Sequence, residues 1–307
     1  MLESLWEQVG EDLAGEWTTR MLFPAFAFWG GGLLAYTWRY GWGGLVNWWN
    51  GRAPHEQVAL LVGGLILVVL SSAAMERLQT TVIRLAEGYW PWPLRWLRFL
   101  LARVWRWWME RKYEKWNALA EKCEGRPERL PPKEQARYAR LDTALAHFPA
   151  DPGRVMPTRL GNVLRASEEH SQVRYGLNAN VCWPRLWLLL PADVQEDISV
   201  ARGQLNEAAR LFAWGLLFCI WAVWAWWAVP VGLAVAFLAY RGMVLSALVY
   251  GELVRSAFDL YRFDLYEQMG WSPPRWAGDE PAYGERLTTY LFRGLTEEPV
   301  HFNHRGE

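Results

Sequence analysis

Three stretches of this chain run for 18 or 19 residues without one charged side chain: Met21–Trp38, Val58–Met75 and Leu211–Val229. A fourth, Val231–Tyr250, is interrupted only by Arg241. About 20 apolar residues in a helix cross the roughly 30 Å of bilayer hydrocarbon. Within lipid only a helix or a closed barrel satisfies its own backbone. A helix on a soluble core keeps a polar stripe, which these stretches lack. The expected fold class is therefore all-α: a polytopic membrane protein with two transmembrane hairpins, four helices in all, and a mostly helical cytosolic domain between them.

The expected boundaries follow. Residues 1–20 form an N-terminal cytosolic amphipathic segment and 21–75 the first hairpin. Residues 76–210 hold an interfacial helix and a cytosolic helical module. Residues 211–250 form the second hairpin, turning at Val229–Gly232, and 251–307 a cytosolic extension and tail. Glu3, Glu7, Glu11, Asp12 and Glu16 stand where a signal peptide would need basic residues, so none is expected.

Orientation is set by the basic residues. Segment 76–210 carries 22 of the 32 Lys and Arg, whereas the connection between the first two spans has only Arg39 and Arg52. By the positive-inside rule the central segment and both termini are cytoplasmic. Trp38, Trp42, Trp48 and Trp49, with Trp224, Trp226 and Trp227, then form an aromatic belt at the outer face. Trp90, Trp92, Trp96, Trp105, Trp107 and Trp108 mark the inner one. Around them "PLRWLRFLLARVWRWWMERK" mixes arginine with apolar residues at helical spacing. It reads as a helix on the inner leaflet, with Arg95, Arg98, Arg103 and Arg106 toward lipid headgroups.

Residues 109–147 read as a helical hairpin around the breakers of "GRPERLPP", a surface for a cytosolic protein partner. After it, helix is expected from Pro157 and Thr158 to about His170. A turn follows at Gly176, Asn178 and Asn180. The run Leu186–Leu190 is too short to cross a bilayer and reads as a re-entrant or interfacial segment. Asp193 is placed to cap the helix after it. In the first hairpin, Gly30–Gly32 and Gly63–Gly64 are expected to allow close helix packing.

"RLAEGYWP" (Arg84–Pro91), "MPTRLGN" (Met156–Asn162), "RYG" (Arg174–Gly176) and "WPRLW" (Trp183–Trp187) together resemble a family of bacterial multi-pass membrane proteins without an assigned activity. The similarity continues through Ala239–Glu267 and covers about two thirds of the chain, leaving out residues 1–20 and those after Pro281. The resemblance implies architecture and location, not chemistry.

Candidate functional residues fall into three groups. Arg241 is expected about 15 Å deep, where an arginine costs about 2.5–3.5 kcal/mol unless it faces protein or water. It reads as part of a polar pathway or an inter-subunit contact. Glu252, Arg255, Asp259 and Arg262 follow at helical steps, either as a solvated charged stripe or as the lining of an oligomeric vestibule. Arg159, Asn162, Arg165, Glu168, Glu169, His170, Arg174, Tyr175 and Arg185 make the densest polar set near the membrane.

Several classes are disfavoured. Zero net charge leaves no electrostatic footprint for nucleic acid. Cys123, Cys182 and Cys219 are isolated, with no C-x-x-C pair. His301 and His304 have no third ligand nearby, so neither metal nor cofactor is expected. No zincin, nucleophile-elbow or P-loop motif occurs. The leading expectation is a non-enzymatic homo-oligomer in contact with membrane lipids, a channel-like or membrane-perturbing effector gated through its cytosolic module. The alternatives are an enzyme acting on lipid-linked substrates, with Glu168, Glu169 or His170 as base, and a passive anchor for a cytosolic partner.

Overall fold

The structure is a computed structural model that describes residues 16–124 and 126–294. Most of the expected segment 1–20, and the tail with His301 and His304, lie outside the described residues. Among those described, every regular element is helical and there is no strand. In chain order the helices are α1 (Glu16–Tyr40), α2 (Trp42–Asn50), α3 (Pro54–Glu87), α4 (Arg95–Cys123) and α5 (Pro132–Leu145). They continue as α6 (Arg159–Tyr175), α7 (Ala179–Trp187), α8 (Ala192–Phe218), α9 (Ala228–Gln268) and α10 (Glu280–Arg293).

Three segments are long and apolar enough to cross a membrane: one within Pro54–Cys123, where α3 carries Val58–Met75, and the helices of Ala192–Val223 and Ala228–Gln268. The first expected span is helical, as α1, but is not among these three. Its leucines and phenylalanines are diluted by three glycines, Trp29, Tyr36 and Thr37.

The chain divides into two compact units. The first comprises Met1–Ile83 with Asn206–Met243. Its core is a cluster of Ala25, Phe28, Val68, Met75, Ala213 and Trp214. Phe28 lies 5.0 Å from the rings of both Trp214 and Trp221. The indole nitrogens are satisfied internally: Trp29 Nε1 donates to Ser71 Oγ at 3.2 Å and Trp221 Nε1 to the Phe28 carbonyl at 3.1 Å. A buried indole without such an acceptor would be costly in lipid. Trp224 stacks on Trp221 and meets Tyr36 edge-on at 5.4 Å, joining the end of α1 to the turn before α9.

That turn differs from the sequence expectation. Helix α8 ends at Phe218, tightens into a 3-10 segment over Cys219–Val223, and the chain reverses before Ala228 rather than at Val229–Gly232. Pro230 instead lies in the first turn of α9, where the missing N–H has no intrahelical role. The expected glycine packing is also divided. A Cβ on Gly31 or Gly32 would collide with Phe218 or Trp221, whereas Gly63 and Gly64 face open space. A close backbone approach in this unit is between α8 and α9, where a Cβ on Gly215 would sit 2.6 Å from the Ala236 nitrogen.

The second unit comprises Arg84–Leu205 with Val244–Glu307. The expected interfacial helix and first hairpin arm are one helix, α4, because nothing between Arg95 and Cys123 breaks it. It pairs with α5 through Leu119, Cys123 and Leu130, and Trp116 stacks on Tyr138 at 5.7 Å. On α4, Trp96, Leu100, Val104 and Trp107 are exposed at spacings of three or four, with Phe99 exposed next to Leu100. The other core joins α6–α10 around Leu177, Leu186, Phe258, Tyr266 and Trp271. Leu186 and Leu190 are buried here as part of the wall of this helical core, while Leu188 between them is 79% exposed. A short apolar run suits a helical core or a membrane interface equally well in sequence.

Replacing Gly215 by Val should lower the melting temperature in detergent by several degrees, since overpacking against backbone costs about 1–3 kcal/mol. Gly63→Val, which meets nothing, should leave it unchanged. Equal melting of the two variants would contradict this packing.

Candidate functional site

Helix α3 ends in a glycine cap. Gly88 adopts φ 106°, and the Gly88 and Tyr89 nitrogens return to the Leu85 and Arg84 carbonyls. The next free carbonyl, that of Glu87, accepts a hydrogen bond from Thr158 Oγ1 at 2.8 Å. The same hydroxyl accepts from the Gly161 nitrogen at 3.0 Å, as the N-cap of α6. Any side chain at Gly161 would strike the Glu87 carbonyl. Asn162 closes the corner, accepting from the Met156 nitrogen at 2.7 Å and donating to the Met156 and Thr158 carbonyls. Asn162, a candidate for chemistry in sequence, is thus committed to holding this loop.

Beside the junction lies a cavity of about 210 Å³, lined by residues of five helices. Glu87 comes from the end of α3, Ser167 and Glu168 from α6, Asn180 and Trp183 from α7, Arg202 from α8 and Tyr250 from α9. Burial first, and then the charge of Glu168, push the Glu87 carboxyl up to about 7, against the opposing fields of Arg202, Arg84 and Arg165. Burial also raises Glu168, opposed by Arg165, Arg154 and Arg202. Glu168 pairs with Arg165 at 3.6 Å. Arg202 lies over the Tyr250 ring at 5.4 Å and forms no ion pair with either carboxylate. Ser167 donates to the Val163 carbonyl one turn back.

The remaining members of the polar set form a separate network. Asp259 of α9 accepts from Tyr175 OH at 2.6 Å and contacts His170 Nε2 at 3.1 Å, both from α6. Burial alone would raise the Asp259 carboxyl; the bonds from Tyr175 and His170 more than reverse this and hold it below its ordinary value. Tyr175 is driven up to about 12 by burial and by that same carboxylate. Arg262 pairs with the buried Glu280 at 2.6 Å, donates to the Asp259 carbonyl and lies over the Tyr175 ring at 4.3 Å. Arg255, with 13% of its side chain exposed, donates to the Ala146 carbonyl and pairs with Glu252 at 3.7 Å. The stripe of α9 is therefore mostly consumed inside the unit, and only Glu252 stands in solvent.

Glu169 is buried and paired with Arg154 at 2.8 Å and Arg165 at 4.0 Å, a structural position. Arg159, Arg174 and Arg185 are exposed; Arg174 leans over Tyr175, and Arg185 caps its own helix at the Val181 carbonyl. On α4, Arg95 and Arg103 are exposed, Arg98 lies over Tyr89, and Arg106 is half-buried. Arg241 is exposed on α9, on the same face as Phe237, Leu238 and Leu245. The structure thus unites Glu168 with a cavity, and His170 and Tyr175 with Asp259 and Arg262. It leaves Arg241 apart from both.

Glu87, Arg202, Arg154 and Glu280 are not singled out by the sequence. Their partners lie 15 or more residues away, and no local pattern marks such pairings. Among the described residues no group of three His, Cys, Asp or Glu side chains could hold a metal ion. Comparison with known proteins and solved structures finds no match to the chain, and no family model matches it.

The raised carboxyl gives a signed expectation. Between pH 4.5 and about 7 the folded chain holds a proton at Glu87 that the unfolded chain releases, so this group costs stability as the pH rises. Glu87→Gln should therefore melt roughly 2–4 °C above the parent at pH 8 and with it at pH 4.5. Asp259 has the opposite sign: its contribution is present above its ordinary value of 3.8 and is lost as the pH falls through the lower folded value. Tyr175→Phe should lose about 1.5–3 kcal/mol at pH 7, as for a hydrogen bond to a charged acceptor, and most of that difference should vanish in an Asp259→Asn background.

Proposed function

We propose that this chain is a multi-pass protein of a bacterial inner membrane, crossing it four times as two hairpins with both termini cytoplasmic. In this reading it assembles as a homo-oligomer whose copies meet around Arg241, forming a channel-like or membrane-perturbing effector that its cytosolic helices gate. The observation that carries the reading is the setting of Arg241. It is the fourteenth residue of α9, roughly 20 Å along the helix, with Phe237, Leu238 and Leu245 on the same face at 60%, 66% and 63% exposure. Such a face belongs against lipid or a neighbouring helix, and a lone guanidinium within it calls for a partner or water. A second copy of the same helix supplies an apolar face, and an axis between copies supplies water.

Two features support placing the chain on and in a bilayer. The exposed stripe of α4 carries two tryptophans with Arg103 among them, the composition of a helix lying at an interface. The exposed Trp38, Trp42, Trp48 and Trp226 belong to the connection and turn opposite that side in the proposed topology. Resemblance to bacterial multi-pass proteins in the "RLAEGYWP", "MPTRLGN" and "WPRLW" stretches agrees with the location. It supplies no activity.

Mass measurement of the purified particle in mild detergent, corrected for bound detergent, tests the assembly. A discrete closed oligomer is expected. Arg241→Leu should abolish ion flux into vesicles containing the protein, by about tenfold or more, and Arg241→Lys should retain most of it. A monomer with no flux contradicts the proposal.

A further inference from the structure

Opposite charges that line one cavity ordinarily close on each other. Here they do not. The Glu87 carboxyl makes no hydrogen bond or ion pair with any described side chain, and Arg202 makes only its contact with the Tyr250 ring. Yet each carboxylate of the cavity feels the field of Arg202, so the groups face the same space of about 210 Å³. Around them are the rings of Trp183 and Tyr250 and the side chain of Asn180. Trp183 is fixed by ring contacts to Trp187 and Phe258, 5.7 and 5.9 Å away. Glu87 is fixed by the junction of α3 and α6, where its own carbonyl is held by Thr158. Both ends of this wall are thus held by contacts outside the cavity.

Two carboxylates, one guanidinium and two aromatic rings on the wall of one cavity match a ligand that carries both charges itself. We propose that this cavity binds an ammonium–phosphate zwitterion of the phosphoethanolamine type, with the ammonium on Glu87 and Glu168 and the phosphate on Arg202. Carboxylates and aromatic rings both attract an ammonium group, and a guanidinium offers paired donors to phosphate. Three of the helices that line the cavity, α3, α8 and α9, also carry the apolar stretches of the chain. A phospholipid headgroup and the free phosphodiester fragment share this chemistry. The role assigned is recognition.

The test uses the full chain in nanodiscs of phosphatidylglycerol, which has no ammonium group, titrated with the phosphodiester glycerophosphoethanolamine by calorimetry at pH 8. Saturable binding is expected, with ethanolamine and inorganic phosphate each at least about tenfold weaker. Glu87→Gln and Arg202→Gln should each weaken binding about ten- to a hundredfold, the worth of one hydrogen bond between charged groups. Glu128→Gln, remote from the cavity, should leave it unchanged. Affinity should fall from pH 8 to pH 6 as Glu87 takes up its proton while the ligand's amine stays charged. Nanodiscs containing phosphatidylethanolamine distinguish the source: loss of binding by the free probe assigns the site to the lipid headgroup, and unchanged binding assigns it to a soluble ligand. Absence of saturable binding, or equal affinity in parent, Glu87→Gln and Arg202→Gln with all three folded by circular dichroism, overturns the proposal. The particle mass is independent of either result.

Discussion

One hydroxyl group connects the apolar helix α3 to the polar core that follows it. Thr158 Oγ1 donates to the Glu87 carbonyl and accepts from the Gly161 nitrogen, so a single side chain ends one helix and starts another 71 residues away. Both bonds satisfy backbone groups that helix termini leave orphaned. The absent side chain at Gly161 lets the two backbones meet, and Asn162 binds the loop that brings Thr158 into place. The Glu87 side chain then projects beside α6 with its position determined by its own main chain. Cavity, raised carboxyl and unpaired Arg202 all follow from that corner.

The second governing constraint is the disposal of charge along α9. A helix of 41 residues must carry an apolar half and a polar half, and its charged residues have to be satisfied locally. Asp259 is satisfied by Tyr175 and His170, Arg262 by Glu280, and Arg255 by the Ala146 carbonyl. Removing one partner from such a buried set leaves the other uncompensated, which is costlier than never having had the pair. These contacts make α9 a structural spine of the second unit. Arg241, in contrast, has only apolar neighbours on its own exposed face, and this difference separates it from the charges of the stripe.

The apolar segments are legible in the sequence because a helix-length run without charge fits few environments besides lipid. Val58–Met75 lies inside α3 as expected. The turn between α8 and α9 is misplaced by sequence reasoning because Pro230 reads as a breaker yet serves inside a first helical turn. In the run Leu186–Leu190 apolarity alone does not show that Leu186 and Leu190 belong to the helical core while Leu188 is exposed. Of the site, Glu168, His170, Tyr175, Asp259 and Arg262 are visible as a local density of polar residues. Which of them meet is not visible, since His170 and Asp259 are 89 residues apart. Glu87 and Arg202 stand in unremarkable helical sequence, and only the convergence of five helices gives them a common cavity.

The central claim is that the exposed apolar faces of these helices are embedded in lipid while the charged half of α9 is not. It is tested most directly by single spin labels along α9 in lipid nanodiscs, read by collision with oxygen and with a water-soluble nickel chelate. Labels at Leu233, Leu238 and Leu245 should collide with oxygen and be shielded from nickel, and a label at Glu252 should show the reverse. Nickel accessibility at all four positions would contradict the account, because the apolar face of α9 would then lie in water or against a soluble partner.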